Sequence, residues 1–192
     1  MENGAQNRYT VQQTSIAALA CAGIATGAYI SIPMGPVPFS LQTLFVLLAG
    51  LLLRPQWAAS AIGAYLLLGS IGLPVFSAGS GGIGHLLGPT GGYLWAFLPA
   101  VVAASFIAGR ESRRPAPRRL RMRPFRQLMA SITATLIIYA GGVFQLAAMA
   151  DLTTGEAIAA GMLPFLIGDA VKIVAALAAS NLLLPLMHRR ES

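Results

Sequence analysis

Long apolar runs, broken at intervals by glycine, proline and arginine, fill most of the chain. They are too continuous for the one-sided stripe of a soluble helix, and their lengths suit a hydrocarbon layer. Apolar length and Gly/Pro punctuation predict helices at about 15–32, 39–53, 57–73, 92–108, 127–149 and 163–187. The second is short for a full crossing. "RPQ" at Arg54 to Gln56 separates it from the third; without that break the two read as one overlong stretch. The first fifteen residues are polar and lack the apolar core of a cleavable signal, so the first helix is expected to serve as its own insertion signal.

Composition agrees with the pattern. Hydrophobic residues make up 56% of the chain and charged ones 10%, against about 25% charged in soluble domains. At about 20 residues per crossing, 192 residues allow roughly six spans and little else. The expected fold is all-α, an integral membrane bundle of six transmembrane helices forming a single membrane domain over residues 1–192.

Charge then orients the bundle. Of thirteen basic residues, twelve are arginines on alternate connections or ends: Arg8, Arg54, eight between Arg110 and Arg126, and Arg189 with Arg190. The positive-inside rule puts all of them, the basic loop 109–126 and both termini on the cytoplasmic side. This accounts for the net charge of +7 without nucleic acid. An anionic-lipid or partner-docking role for the basic loop is the alternative to plain topology.

Three outer connections remain. The middle one, "GLPVFSAGSGGIGHLLGPTGG", is glycine-rich yet studded with apolar side chains, unlike a flexible linker. Irregular backbone at membrane depth needs surrounding protein or a cavity, so this segment is expected to fold over a ligand pocket. The thirteenth basic residue, Lys172, stands three positions after Asp169 inside "PFLIGDAVKIVAAL". That spacing puts both on one face, about two turns into the sixth predicted helix. A charge at that depth costs about 2.5–3.5 kcal/mol, so each requires a partner, either the other or a ligand. A lysine can receive a carboxylate and an aspartate can accept from N–H groups, which suits a small amphiphile carrying both. Gln42 and Tyr93, at the outer ends of the second and fourth helices, are candidate polar contacts, with an interfacial aromatic as the other reading of Tyr93.

Other signals exclude more than they suggest. The lone cysteine, Cys21, allows no internal disulfide and gives no metal-ligand spacing, which sets cysteine chemistry aside; no metal and no cofactor is expected. "GSGGIG" at Gly79 to Gly84 matches GxGxxG without the strand before it or the acid after it, and no phosphate-binding GxxxxGK[ST] occurs. Any ATP-driven step must borrow an ATPase. Ser80 and His85 raise an intramembrane serine hydrolase, but no nearby acid orients the histidine, and His188 lies at the opposite end; His85 is rather a loop hydrogen-bonder or a ligand contact. Ala18 and Ala22 form a small-x-x-x-small pair, extended by Ala17, Cys21 and Thr26, which suits either internal packing or docking onto a separate membrane subunit.

Four stretches carry a family resemblance: "VPFSLQTLFVLLAGLLL", "YLLLGSIGLPVFSAGSGG", "GPTGGYL" and "PFLIGDAVK". In that order, over nearly the whole chain, they resemble the BioY family, the biotin-specific substrate-binding (S) components of energy-coupling factor (ECF) transporters. The resemblance implies a six-helix membrane protein that captures biotin from outside and takes no part in catalysis. Its partners would be a transmembrane scaffold subunit and two ABC-type ATPases, or further copies of itself as a homo-oligomer if it acts alone. Asp169 and Lys172 match the family's Gly-Asp-x-x-Lys motif and Tyr93 ends its Gly-Pro-Thr-Gly-Gly-Tyr motif, both at the substrate. Gln42, Gly79, Gly81 and Gly82 match the loops over the pocket, and Ala18 with Ala22 the surface facing the scaffold. Biotin has a carboxylate and ureido N–H groups; the favoured reading puts Asp169 on the ureido N–H donors, with Lys172 on the ureido oxygen or the carboxylate. At Gln145 the family tends to carry tryptophan. An S component for another vitamin is the alternative within the fold.

Overall fold

The computed structural model describes residues 2–109 and 124–188. Most of the basic segment expected at 109–126 therefore lies outside the described residues, as do Arg189 and Arg190. The chain is mostly helical: α1 (Glu2–Tyr29), α2 (Gln42–Leu52), α3 (Pro55–Ser70), a short α4 (Ile83–Leu87), α5 (Gly91–Ala108), α6 (Pro124–Met149), α7 (Thr154–Gly161) and α8 (Leu166–His188). The segments Gly91–Ala108, Pro124–Met149 and Thr154–Pro185 are long and apolar enough to cross a membrane. Large apolar side chains such as Leu19, Phe144, Ile167, Val174 and Leu182 face outward, as a protein solvated by lipid requires.

The all-α expectation needs one correction. Where helices were expected to end near 32 and begin near 39, an antiparallel hairpin stands, β1 (Ser31–Met34) and β2 (Val37–Ser40), joined through Gly35 and Pro36. The cause is local: Pro33, Pro36 and Pro38 remove N–H groups that a helix would need. In the hairpin Met34 faces Val37 and Pro33 faces Pro38. Pairs alternate in hydrogen bonding away from the turn, so the facing prolines fall where no N–H is required.

Other boundaries shift for equally local reasons. Pro55 starts α3, and Pro124 starts α6, because the first helical position has no use for an N–H. The connection at 150–162 contains α7, whose capping box has Glu156 and Thr153 satisfying each other's backbone N–H groups. A 3-10 turn over Leu163–Phe165 precedes α8. Asp169 therefore lies in the first turn of the last helix, not two turns in.

Buried apolar residues, mostly of α1, α2, α3 and α5, form the main core, among them Ile24, Leu47, Leu51, Ile62 and Val101, joined by Phe76 of the glycine-rich segment. A smaller cluster around Val37, Tyr139, Leu146, Ala157 and Phe165 packs at the end that carries the hairpin. Helices α5 and α6 approach closely through small residues. The Tyr93 ring occupies the space that a side chain at Gly142 would fill, and Gly141 packs on Ala96. Ser105 Oγ donates to the Leu53 carbonyl (2.7 Å), holding α5 to the end of α2.

Candidate functional site

Three helices begin at the hairpin end: α2 at Gln42, α5 at Gly91 and α8 at Leu166. Their N-termini carry partial positive charge and favour anionic groups placed among them. Between them lies a pocket with about 580 Å³ of atom-free space, its open mouth included. Its apolar walls come from Val37, Pro38 and Phe39 of β2, Leu94 and Phe97 of α5, Ile138 of α6, and Phe165. Phe39 and Phe165 stack in parallel with centroids 6.0 Å apart.

One wall is charged. Lys172 Nζ donates to Asp169 Oδ1 at 2.8 Å and to Thr43 Oγ1 at 2.9 Å, and it lies 3.8 Å from the centre of the Phe39 ring. The Tyr139 hydroxyl donates to Asp169 Oδ2 at 2.5 Å. Both charged residues are buried, Asp169 at 7% and Lys172 at 5% exposure, yet both line the pocket. The i,i+3 pair thus lies on one helix but is tied to α2 and α6, and it presents a neutral, hydrogen-bonding face to whatever enters. A carboxylate has about four lone-pair sites. Three contacts, one of them a long 3.5 Å approach from Thr43, leave Asp169 able to accept from a ligand N–H.

A second polar group forms the adjoining wall. Gln42 is buried; its Oε1 accepts from Ser40 Oγ (3.0 Å) and Ser77 Oγ (3.2 Å), and its Nε2 donates to the Tyr65 hydroxyl. Gln42 therefore fastens β2, α3 and the glycine-rich segment to the start of α2. Phe76, wholly buried, anchors that segment by packing edge-on to Tyr65 and stacking on His85 at 5.4 Å. His85 lines the pocket, and burial lowers the pKa of its imidazole. Tyr93 also lines it while its hydroxyl donates to the Gly161 carbonyl at 2.7 Å, which joins α5 to α7.

The pocket therefore gathers Asp169, Lys172, Tyr93, Gln42 and His85 from the expected set. Gly79, Gly81 and Gly82 are not among its lining residues. Gly79 and Gly82 hold positive φ, and at Gly81 a side chain would strike the Leu73 carbonyl, so these three shape the segment rather than touch the cavity. On α1, Ala18 and Ala22 face outward, whereas Ala17 is buried and Cys21 packs on the core; the smooth outer face is narrower than the sequence suggested. Ser80 and His85 do meet at 3.2 Å, but Ser80 Oγ gives its proton to the Ser77 carbonyl, which leaves no serine proton for the histidine to take.

Sequence reasoning passed over Thr43, Phe39, Phe165 and Tyr139. Tyr139 had a readable signal, a phenol in mid-span rather than at a membrane edge; its pairing with Asp169, thirty positions on, had none. Gln145 does not line the pocket. Its Nε2 donates to the carbonyls of Leu86 (3.1 Å) and Gly88 (2.7 Å), tying α6 to the corner between α4 and α5. The contribution of α6 to the cavity comes instead from Ile138 and Tyr139.

Fold and site together define a membrane-embedded binding protein for a small molecule with both apolar and hydrogen-bonding parts. The BioY family model matches residues 3–189, and the chain belongs to the BioY family. A protein of Thermotoga maritima named "Biotin transporter BioY" is 40% identical over 80% of this chain and 84% of its own. A Pyrococcus horikoshii protein named "Probable biotin transporter BioY" is 40% identical over 86% and 91%. The crystal structure of an S-component for biotin from an ECF-type ABC transporter superimposes with a TM-score of 0.82. It is 26% identical, and the match covers 93% of this chain and 94% of that one.

Proposed function

We propose that this chain captures biotin with high affinity at the outer face of the cytoplasmic membrane and delivers it inward as the substrate-binding subunit of an ECF-type transporter. The observation that carries this is the pocket in which a neutralised Asp169–Lys172 pair, steadied by Thr43 and Tyr139, adjoins an apolar chamber. A bicyclic ureido head fits the polar wall: Asp169 accepts from a ureido N–H, while the thioether ring and alkyl chain lie against Phe39, Leu94 and Phe97. The relatives' names point to the same ligand. The chain binds and carries; it performs no chemistry on its cargo.

The working form is a multi-pass single membrane domain of six crossings, with α1, α2, α3, α5, α6 and α8 as its spans and both termini in the cytoplasm. Twelve arginines on alternate connections support that orientation. The glycine-rich segment covers the pocket from outside, anchored through Phe76 and Gln42. Ala18 and Ala22, exposed on α1, suit close approach of a scaffold helix, through which two ATPases would drive release.

Uptake of labelled biotin into biotin-requiring cells expressing the chain with a coupling scaffold and its ATPases tests this reading. Unlabelled biotin should abolish uptake, while equal thiamine and riboflavin should leave it unchanged. No uptake of labelled biotin, with uptake of another labelled vitamin by the same cells, would reassign the ligand.

A further inference from the structure

The pocket has one lysine, no arginine and one histidine among its lining residues. If biotin is the ligand, as proposed above, its ionised carboxylate needs a donor, and Lys172 is committed. Its ammonium serves Asp169 and Thr43, and it lies against the Phe39 ring. The Asp169 carboxylate beside it would repel a second anion.

His85 stands on a different element with a nitrogen to spare. Ser80 Oγ donates to the Ser77 carbonyl at 2.7 Å, so toward His85 Nδ1, 3.2 Å away, the serine oxygen accepts and Nδ1 carries the proton. Nε2 has no hydrogen-bond partner among the described residues. The ring is held flat on Phe76 and lines the cavity, and the hydroxyl-bearing Ser77 and Thr90 line it as well.

We infer that His85 is the carboxylate-binding group of the pocket, acting as an imidazolium through Nε2–H, so that biotin binding takes up a proton. The sign follows from the two states. In the free protein burial favours the neutral ring; a bound carboxylate favours the charged ring. Affinity therefore rises as pH falls through the histidine range.

The groups around His85 permit this assignment. Tyr65 of α3 reaches it through Phe76, α5 presents Tyr93, α6 presents Tyr139, and Tyr29 of α1 lies near Gly79. The fixed charges in the cavity, Asp169 and Lys172, neutralise each other. Histidine is the one side chain that ordinarily changes charge between about pH 5 and 8.

The test is equilibrium binding of biotin, and separately of biotin methyl ester, to the purified full chain between about pH 8 and pH 6, beside His85→Gln. In the parent, biotin should bind about tenfold more tightly at the lower pH. That dependence should vanish for the ester and in His85→Gln, whose retained, pH-independent binding of the ester shows that the pocket still forms. A parent affinity independent of pH, a slope that persists in His85→Gln, or an equal slope for the ester would overturn the inference. Absence of biotin binding at every pH would instead overturn the functional reading on which it rests.

Discussion

At the scale of single residues, the site depends on charges whose partners are already in place. A buried ion pair contributes little net stability unless its remaining hydrogen-bonding capacity is satisfied. Here Thr43 and Tyr139 supply that satisfaction, and the first turn of α8 adds the favourable end of a helix dipole to Asp169. Tyr139→Phe removes one donor from the carboxylate. A hydrogen bond to a charged group is worth about 1.5–3 kcal/mol, so biotin affinity should fall by about tenfold or more, measured as the dissociation constant of the purified variant. An unchanged constant would separate Tyr139 from ligand positioning.

Elements meet here through small residues and caps. The Tyr93 ring fills the space over Gly142, so Gly142→Val forces ring or helix to move; overpacking of this kind costs about 1–3 kcal/mol. The variant should melt at a lower temperature and bind biotin more weakly, because Tyr93 both lines the pocket and holds α7. Gly63→Ala, whose added methyl meets open space in α3, should leave binding as it is and raise the melting temperature slightly, since alanine favours a helix over glycine. The cap of α7 gives a pH effect. Hydrogen bonds from Thr153 hold the Glu156 carboxyl below its ordinary range, so their contribution is present above that range and lost as pH falls through the lowered value. Amide exchange in the first turn of α7 should speed up there, with α5 and α6 unaffected.

These elements also mark what could be read in advance. Fourth and fifth helix positions were legible to within a few residues, because apolar length and glycine breaks record them directly. The hairpin was missed because "SIPMGPVPFS" is too short and too proline-rich for a strand signal. Helix α7 was missed although Thr153 and Glu156 carry the spacing of a capping box. Asp169 and Lys172 stood out because two charges in an apolar run are conspicuous at any depth. Thr43 and Tyr139 did not, since their roles exist only once α2, α6 and α8 are brought together.

At the scale of the whole molecule, orientation and ligand together decide function. In a Cys21→Ser background, a membrane-impermeant maleimide added to intact cells should label Gly155→Cys and should not label Arg54→Cys until the membrane is permeabilised. The reverse pattern would invert the bundle and put the pocket on the wrong side for uptake. Equilibrium binding of labelled biotin to the purified chain, beside Asp169→Asn and Lys172→Ala each checked for a monodisperse fold, probes the charged wall directly. Tight binding by the parent and its loss in both folded variants is the predicted result. Binding that survives both substitutions would make the pair a structural clasp and contradict the site described here.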